Sequence, residues 1–191
     1  MTPGAGIEES RDQAFKNIGR NLTKFQMMEA MLKFVVTNAS FSSAASEAQE
    51  NFKLHVKKVR ATSLGDLVEI FPKSLSGQVD EPPDGAQLPW ISLSVSSTAF
   101  PPETLRELRI ALRRIVRDRN HLVHHMLTDF DHSSIEGWNT LNTELEDQRR
   151  RTVEVFDRIR FLATTIHSSR QAIAKHAEAI AEVALRETQS K

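Results

Sequence analysis

Residues 101–126 read PPETLRELRIALRRIVRDRNHLVHHM. Leu105, Leu108, Leu112, Ile115, Leu122 and Met126 recur at helical spacing, so the segment predicts an amphipathic helix with proline in its first turn. One slot in that apolar stripe, between Ile115 and Leu122, is taken by Arg119. The same kind of pattern extends outward in both directions. Upstream, Phe15, Ile18, Leu22, Phe25, Met28, Leu32 and Val35 predict a first helix over about 8–37, with Glu29 and Lys33 four apart and able to pair. Residues 38–45 are small and polar and read as a connection. A second helix is expected over about 46–60, and Ser63 reads as the N-cap of a short helix ending near Pro72. Downstream, Trp138, Leu141, Leu145, Thr152, Phe156, Ile159, Ala163 and Ile166 resume the stripe from Ser134. The Ala-rich stretch 171–186 either continues that helix or folds back near 167–169.

Six of the seven prolines lie from Pro72 to Pro102, and beyond Pro102 the only helix breaker is Gly137. Within this Pro-rich insertion, about 76–102, residues 91–96 alternate as a half-buried strand does. The fold expected is an all-α, up-down bundle of four to five helices in one domain over 1–191, with a small Pro-rich or β insertion and a long C-terminal helical segment over about 134–188. Stripes this long exceed what short helices bury alone, so a homodimer is expected.

Composition narrows the function. In 191 residues, 39% are hydrophobic and 26% charged, which excludes collagen-like and wholly disordered chains. Lys plus Arg equals Asp plus Glu, 25 each, so any electrostatic site must come from local clustering. Cysteine is absent, which excludes disulfides, thiolate nucleophiles and Cys-type zinc sites. The opening residues lack a signal-peptide pattern and no apolar run approaches a membrane span, so a soluble cytoplasmic protein is expected, with no membrane partner.

Four of the seven histidines, His121, His124, His125 and His132, fall within twelve residues beside Arg119 and Asn120. A guanidinium aimed at an interhelical seam is costly unless it meets an acid, a phosphate or a solvent-filled cleft. The ordinary alternative is an arginine that snorkels at the bundle end or pairs with a glutamate. His121 and His125 also share a helical face, with Asp129 or Asp131 following, so a metal site competes; no full ligand motif accompanies them.

The spacing Arg119-Asn120-x-x-x-His124 resembles the motif of the HEPN (higher eukaryotes and prokaryotes nucleotide-binding) superfamily. That motif is an arginine, four to six residues, then a histidine, often with a polar residue directly after the arginine. His125 fits the looser spacing. The likeness spans about 10–132 and includes the first helix with Glu29 and Lys33, the segment Leu64-Gly65-Asp66-Leu67-Val68 and the strand-like insertion. It implies a small helical bundle, often dimeric, and a metal-independent endoribonuclease in which Arg119, Asn120 and His124 are catalytic and no cofactor is used. It also implies a toxin or defence effector, with an antitoxin or regulatory partner. Some toxins of the superfamily carry a tyrosine two residues after the histidine that a partner enzyme modifies. Here that position is Met126, and the chain has no tyrosine, so this form of control is excluded.

The chemistry suits these residue types. Cleaving RNA through its own 2′-hydroxyl needs a proton taken, phosphorane charge stabilised and a leaving oxygen protonated; a histidine and a fixed arginine fork supply these functions. Residues five apart on a straight helix lie about 140° apart. Arg119 and His124 therefore meet at one site only if the helix bends or a second subunit contributes, and the resemblance implies the second. Arg113, Arg114, Arg117, His121 and His125 are candidate RNA contacts. Arginines over 149–160 and Lys53, Lys57, Lys58 and Arg60 form two further basic patches. The alternative of a different class is a non-catalytic helical interaction module of the same fold, with the motif as a polar latch.

Overall fold

The computed structural model describes residues 3–77, 89–94 and 101–189, with side chains for 6–77, 89–94 and 101–179. Its elements are α1 (Pro3–Ala39), β1 (Ser40–Ala44), α2 (Ala48–Ala61), α3 (Leu64–Ser74), β2 (Trp90–Ser94), α4 (Pro102–His124) and α5 (Ile135–Gln189). This is the all-α bundle with a small β insertion that the sequence predicts. No helix among the described residues is long and apolar enough to cross a membrane.

The spine of the bundle is a parallel pair, α1 and α5. On α5, Trp138, Leu145, Thr152, Ile159 and Ile166 form one buried seven-residue series, and Leu141, Gln148, Val155 and Leu162 form a second. On α1 the buried series are Ala14, Asn21, Met28 and Val35, and Phe25, Leu32 and Ala39. Such heptads let two helices mesh along their length. Polar side chains set the register. Asn17 Nδ2 donates to Asn142 Oδ1 at 2.9 Å, and Asn21 Nδ2 donates to Gln148 Oε1 at 2.9 Å. A buried amide layer of this kind penalises a slipped alignment, because a shift leaves both partners unsatisfied. These amides also move the inward face of α1 from the one predicted. Phe15 is 50% exposed, packing edge-on against Trp138, while Ala14, Asn17 and Asn21 face the seam.

Other sequence expectations are corrected as well. Residues 38–45 are not a simple connection: α1 runs on to Ala39, and β1 pairs antiparallel with β2, Phe41 opposite Leu93. A partner fifty residues downstream overrides the turn preference of serine. Val95 and Ser96, the end of the predicted strand, lie outside the described residues, as does most of the insertion. The C-terminal segment does not fold back at 167–169; α5 is continuous through it. His55 is half-buried, its ring near those of Phe41 and Phe52 at 6.2 and 6.4 Å.

Gly137 lies in the first turn of α5. A Cβ there would stand 2.0 Å from the Asp131 carbonyl oxygen. Ser134 Oγ accepts from Gly137 N at 3.1 Å, capping the helix, and Trp138 Nε1 donates to His132 O at 3.1 Å. The glycine thus permits a tight return from α4.

Candidate functional site

α4 presents the motif, and α5 sets its rotation. Leu105, Leu108, Leu112, Ile115 and Leu122 bury one face of α4. Gln148 Nε2 then donates to Asp118 O at 2.9 Å, and Arg151 pairs with the Asp118 carboxylate at 3.0 Å. With Asp118 turned toward α5, Arg119 follows about 100° further round. It occupies the seam slot the sequence assigns to it, yet its side chain is exposed. The core does not close there: α1, α3 and α4 separate into a cleft of ≈ 370 Å³ whose lining includes Glu29, Ser63, Gly65, Arg119 and Asn120. Arg119 Nη1 donates to Asn120 Oδ1 at 3.0 Å.

The cleft continues along the α3–α4 groove. A second compartment of ≈ 400 Å³ shares Gly65 and Val116 with the first and adds Val68, Ile110, Arg113 and Arg117. α3 is started by Ser63, whose Oγ accepts from Asp66 N at 3.2 Å. Glu69, on the next turns of α3, takes a two-pronged pair from Arg113, Nε to Oε1 at 2.8 Å and Nη2 to Oε2 at 2.7 Å. Arg109 adds a third bond at 2.6 Å. The bonds from Arg113 and then Arg109 hold the Glu69 carboxyl at about 2, against an ordinary 4.5. The same pairing raises the pKa of Arg113.

The candidate RNA contacts separate by their partners. Arg113 is committed to Glu69. Arg114 and Arg117 have no carboxylate partner among the described residues, and neither has Arg119. The patch over 149–160 is different. Arg149, Arg150, Arg151, Arg158 and Arg160 each pair with a carboxylate, so that patch reads as neutralised helix surface. On α2, Lys53 sits 3.8 Å from Glu50, whereas Lys57, Lys58 and Arg60 have no such partner among the described residues.

α4 stays helical through His124 and is capped by His125. Arg119 and His124 therefore keep the separation of about 140° expected of a straight helix, and no hydrogen bond joins them. Arg113, Arg117, Asn120 and His124, however, follow one another at four-, three- and four-residue steps, which places them along one edge of α4. Asn120 lies on that edge and accepts the bond from Arg119. His121, His124 and His125 are all exposed, with His125 6.2 Å from each of the other two rings. His121 Nε2 lies 3.9 Å from Asp129 Oδ2. Among the described residues no three His, Cys, Asp or Glu side chains are placed to hold a metal ion. Met126 is 4% exposed, packed into the core.

Glu69, Gly65, Ile110 and Gln148 are absent from the sequence-derived site. Arg109 and Arg113, four apart, signal a face that needs an acid, but only the packing of α3 supplies Glu69. Gln148 gives no local signal at all. No protein-family model matches the sequence, and comparison with curated proteins and with solved structures finds no match, so the site rests on its own geometry.

Proposed function

We propose that the α3–α4 edge is the active site of a metal-independent endoribonuclease of HEPN type that works as a dimer. One observation carries the reading: Arg113, Arg117, Asn120 and His124 line one edge of α4, with Arg119 bonded to Asn120 at 3.0 Å beside an open groove. Arg117 and Arg119, without carboxylate partners among the described residues, supply a positive edge that the chain's zero net charge conceals. A scissile phosphate held by Arg119 and Asn120 has its developing charge stabilised by a fixed fork. The RNA 2′-oxygen attacks phosphorus, and its proton passes to one imidazole. The P–O5′ bond breaks, and O5′ takes a proton from another imidazole. The products are a 2′,3′-cyclic phosphate and a 5′-hydroxyl. Attacking and leaving oxygens lie on opposite sides of phosphorus, so two imidazoles are used, His124 of each of two copies facing across the phosphate. A toxin or defence role, with a regulatory partner, accompanies this reading.

The test is total RNA treated with the purified protein in EDTA, beside Arg119→Ala and His124→Ala. Cleavage lost in both variants and retained in EDTA is expected. Equal cleavage by all three proteins, or cleavage lost to EDTA alone, refutes the mechanism. The unbroken helix between Arg119 and His124 favours one rival, a non-catalytic module with the motif as an interface latch. That rival predicts no cleavage and a weakened dimer in Arg119→Ala.

A further inference from the structure

We infer that the compartment beyond Gly65 seats the base of one RNA nucleotide whose phosphate lies at Arg119 and Asn120. The ligand class rests on the proposed function; the seat itself rests on three features of the groove.

The first is Gly65. It lies on the wall common to both compartments. The fold does not require a glycine there. Gly77 is the one glycine with positive φ among the described residues, and a Cβ on Gly65 would meet nothing closer than 3.9 Å. In the first turn of a helix a glycine still costs up to about 1 kcal/mol relative to alanine. What its missing side chain does is leave the wall that the two compartments share low at that point. The second is Arg113. Its guanidinium is planar and pinned by two bonds to Glu69, so it forms a fixed flat surface within the groove. Guanidinium planes stack on bases, and a plane already ordered loses little entropy in doing so. The third is the difference between the two ends. Val68 and Ile110, the latter 57% exposed, give the far compartment an apolar strip beside the paired Glu69 and Arg113. The near cleft carries Arg119, Asn120 and Ser63. A flat, stackable ring joined to an anion suits an apolar strip beside a held guanidinium at one end and Arg119 with Asn120 at the other, and a volume of ≈ 400 Å³ is within the range of small-ligand pockets.

The test uses a fluorescein-labelled 2′-O-methyl RNA decamer, which lacks the attacking hydroxyl and cannot be cleaved. Binding is followed by anisotropy in EDTA at two salt concentrations. Gly65→Leu should weaken binding tenfold or more, Gly65→Ala far less, and the salt slope should stay as in wild type because no charge is removed. Ile110→Glu, at an exposed position that leaves the core intact, should weaken binding well beyond Ile173→Glu, a change of the same charge at an exposed position on α5 away from the groove. If Gly65→Leu folds, as read by circular dichroism, and binds within twofold of wild type, the seat is refuted. If it does not fold, equal losses in Ile110→Glu and Ile173→Glu refute it instead. The two proposals fail separately. Normal cleavage of RNA by Gly65→Leu removes the seat and leaves the nuclease. Binding that depends on Gly65, with no cleavage of unmodified RNA, removes the nuclease and leaves the seat.

Discussion

Replacing Gly137 by alanine tests the α4–α5 return directly. The added Cβ would stand 2.0 Å from the Asp131 carbonyl oxygen and 2.9 Å from its carbon. Real Cβ atoms essentially never come within 3.0 Å of such an atom, so backbone must retreat by at least about 1 Å, and no flexible side-chain end can absorb the movement. The retreat pulls on the bond from Trp138 Nε1 to His132 O and on the cap from Ser134 Oγ to Gly137 N. Each is worth about 1 kcal/mol. The packing of Phe130 on Trp138, ring centroids 4.7 Å apart, adds about 1 kcal/mol more. Alanine returns about 1 kcal/mol in helix propensity. The net expectation is a loss of about 2 kcal/mol, which lowers the melting temperature by about 4–8 °C in a chain of this size. Gly19→Ala is the matched control, since a Cβ there meets nothing within 4 Å; it should gain up to about 1 kcal/mol. Thermal and urea unfolding followed by circular dichroism read both. A Gly137→Ala protein as stable as wild type, or more so, would falsify the account of the return.

Three further outcomes are expected. Gln148→Leu leaves the buried Asn21 amide with only its bond to Leu145 O and Asp118 O without its side-chain donor, and should cost about 2–3 kcal/mol in urea unfolding. Adding Asn21→Leu should recover part of that loss; strictly additive losses refute the amide layer as a coupled unit. Glu69 has a folded pKa of about 2 against 4.5, so its pairing stabilises the protein above pH 4.5 and is lost as pH falls toward 2. Glu69→Gln should flatten the fall of the urea midpoint across that window, and an unchanged slope contradicts the pairing. Finally, ending the chain after Arg170 should leave the melting temperature within about 2 °C of wild type, because residues 171–179 are all exposed; a larger drop shows that they pack on the bundle.

The helices were legible because their apolar residues recur with a period the sequence displays. The α4 stripe and the Ser63 cap depend only on neighbours within a few residues. What stayed hidden depends on contacts between distant segments. β1 is a serine-rich segment whose strand character comes from β2, and the seam of α1 includes Asn17 and Asn21 because they meet amides on α5. The same division runs through the candidate site. Arg119, Asn120 and His124 stand out by spacing, and the edge shared by Arg113, Arg117, Asn120 and His124 is implicit in that spacing. The open cleft beneath Arg119 is not, because it arises where α1, α3 and α4 part. Nor could residue type alone separate Arg114, Arg117 and Arg119, which lack a carboxylate partner among the described residues, from the five neutralised arginines of α5.

α5 outlasts its partner. Its last described contacts with α1 are His167 with Phe34 and Arg170 with Asn38, after which α1 turns into β1. A straight helix of 55 residues spans about 82 Å. A compact globule of 191 residues has a radius of gyration of only about 16 Å. The protein should therefore tumble as an elongated particle, with two unequal rotational diffusion rates. Its small-angle scattering should give a pair-distance distribution with a long shallow tail reaching about 80 Å. Sedimentation should be slow for the mass, so an elution volume calibrated on spheres would overstate its size. Counting subunits in solution accordingly calls for a method that weighs the particle, such as light scattering, and not one that measures its length.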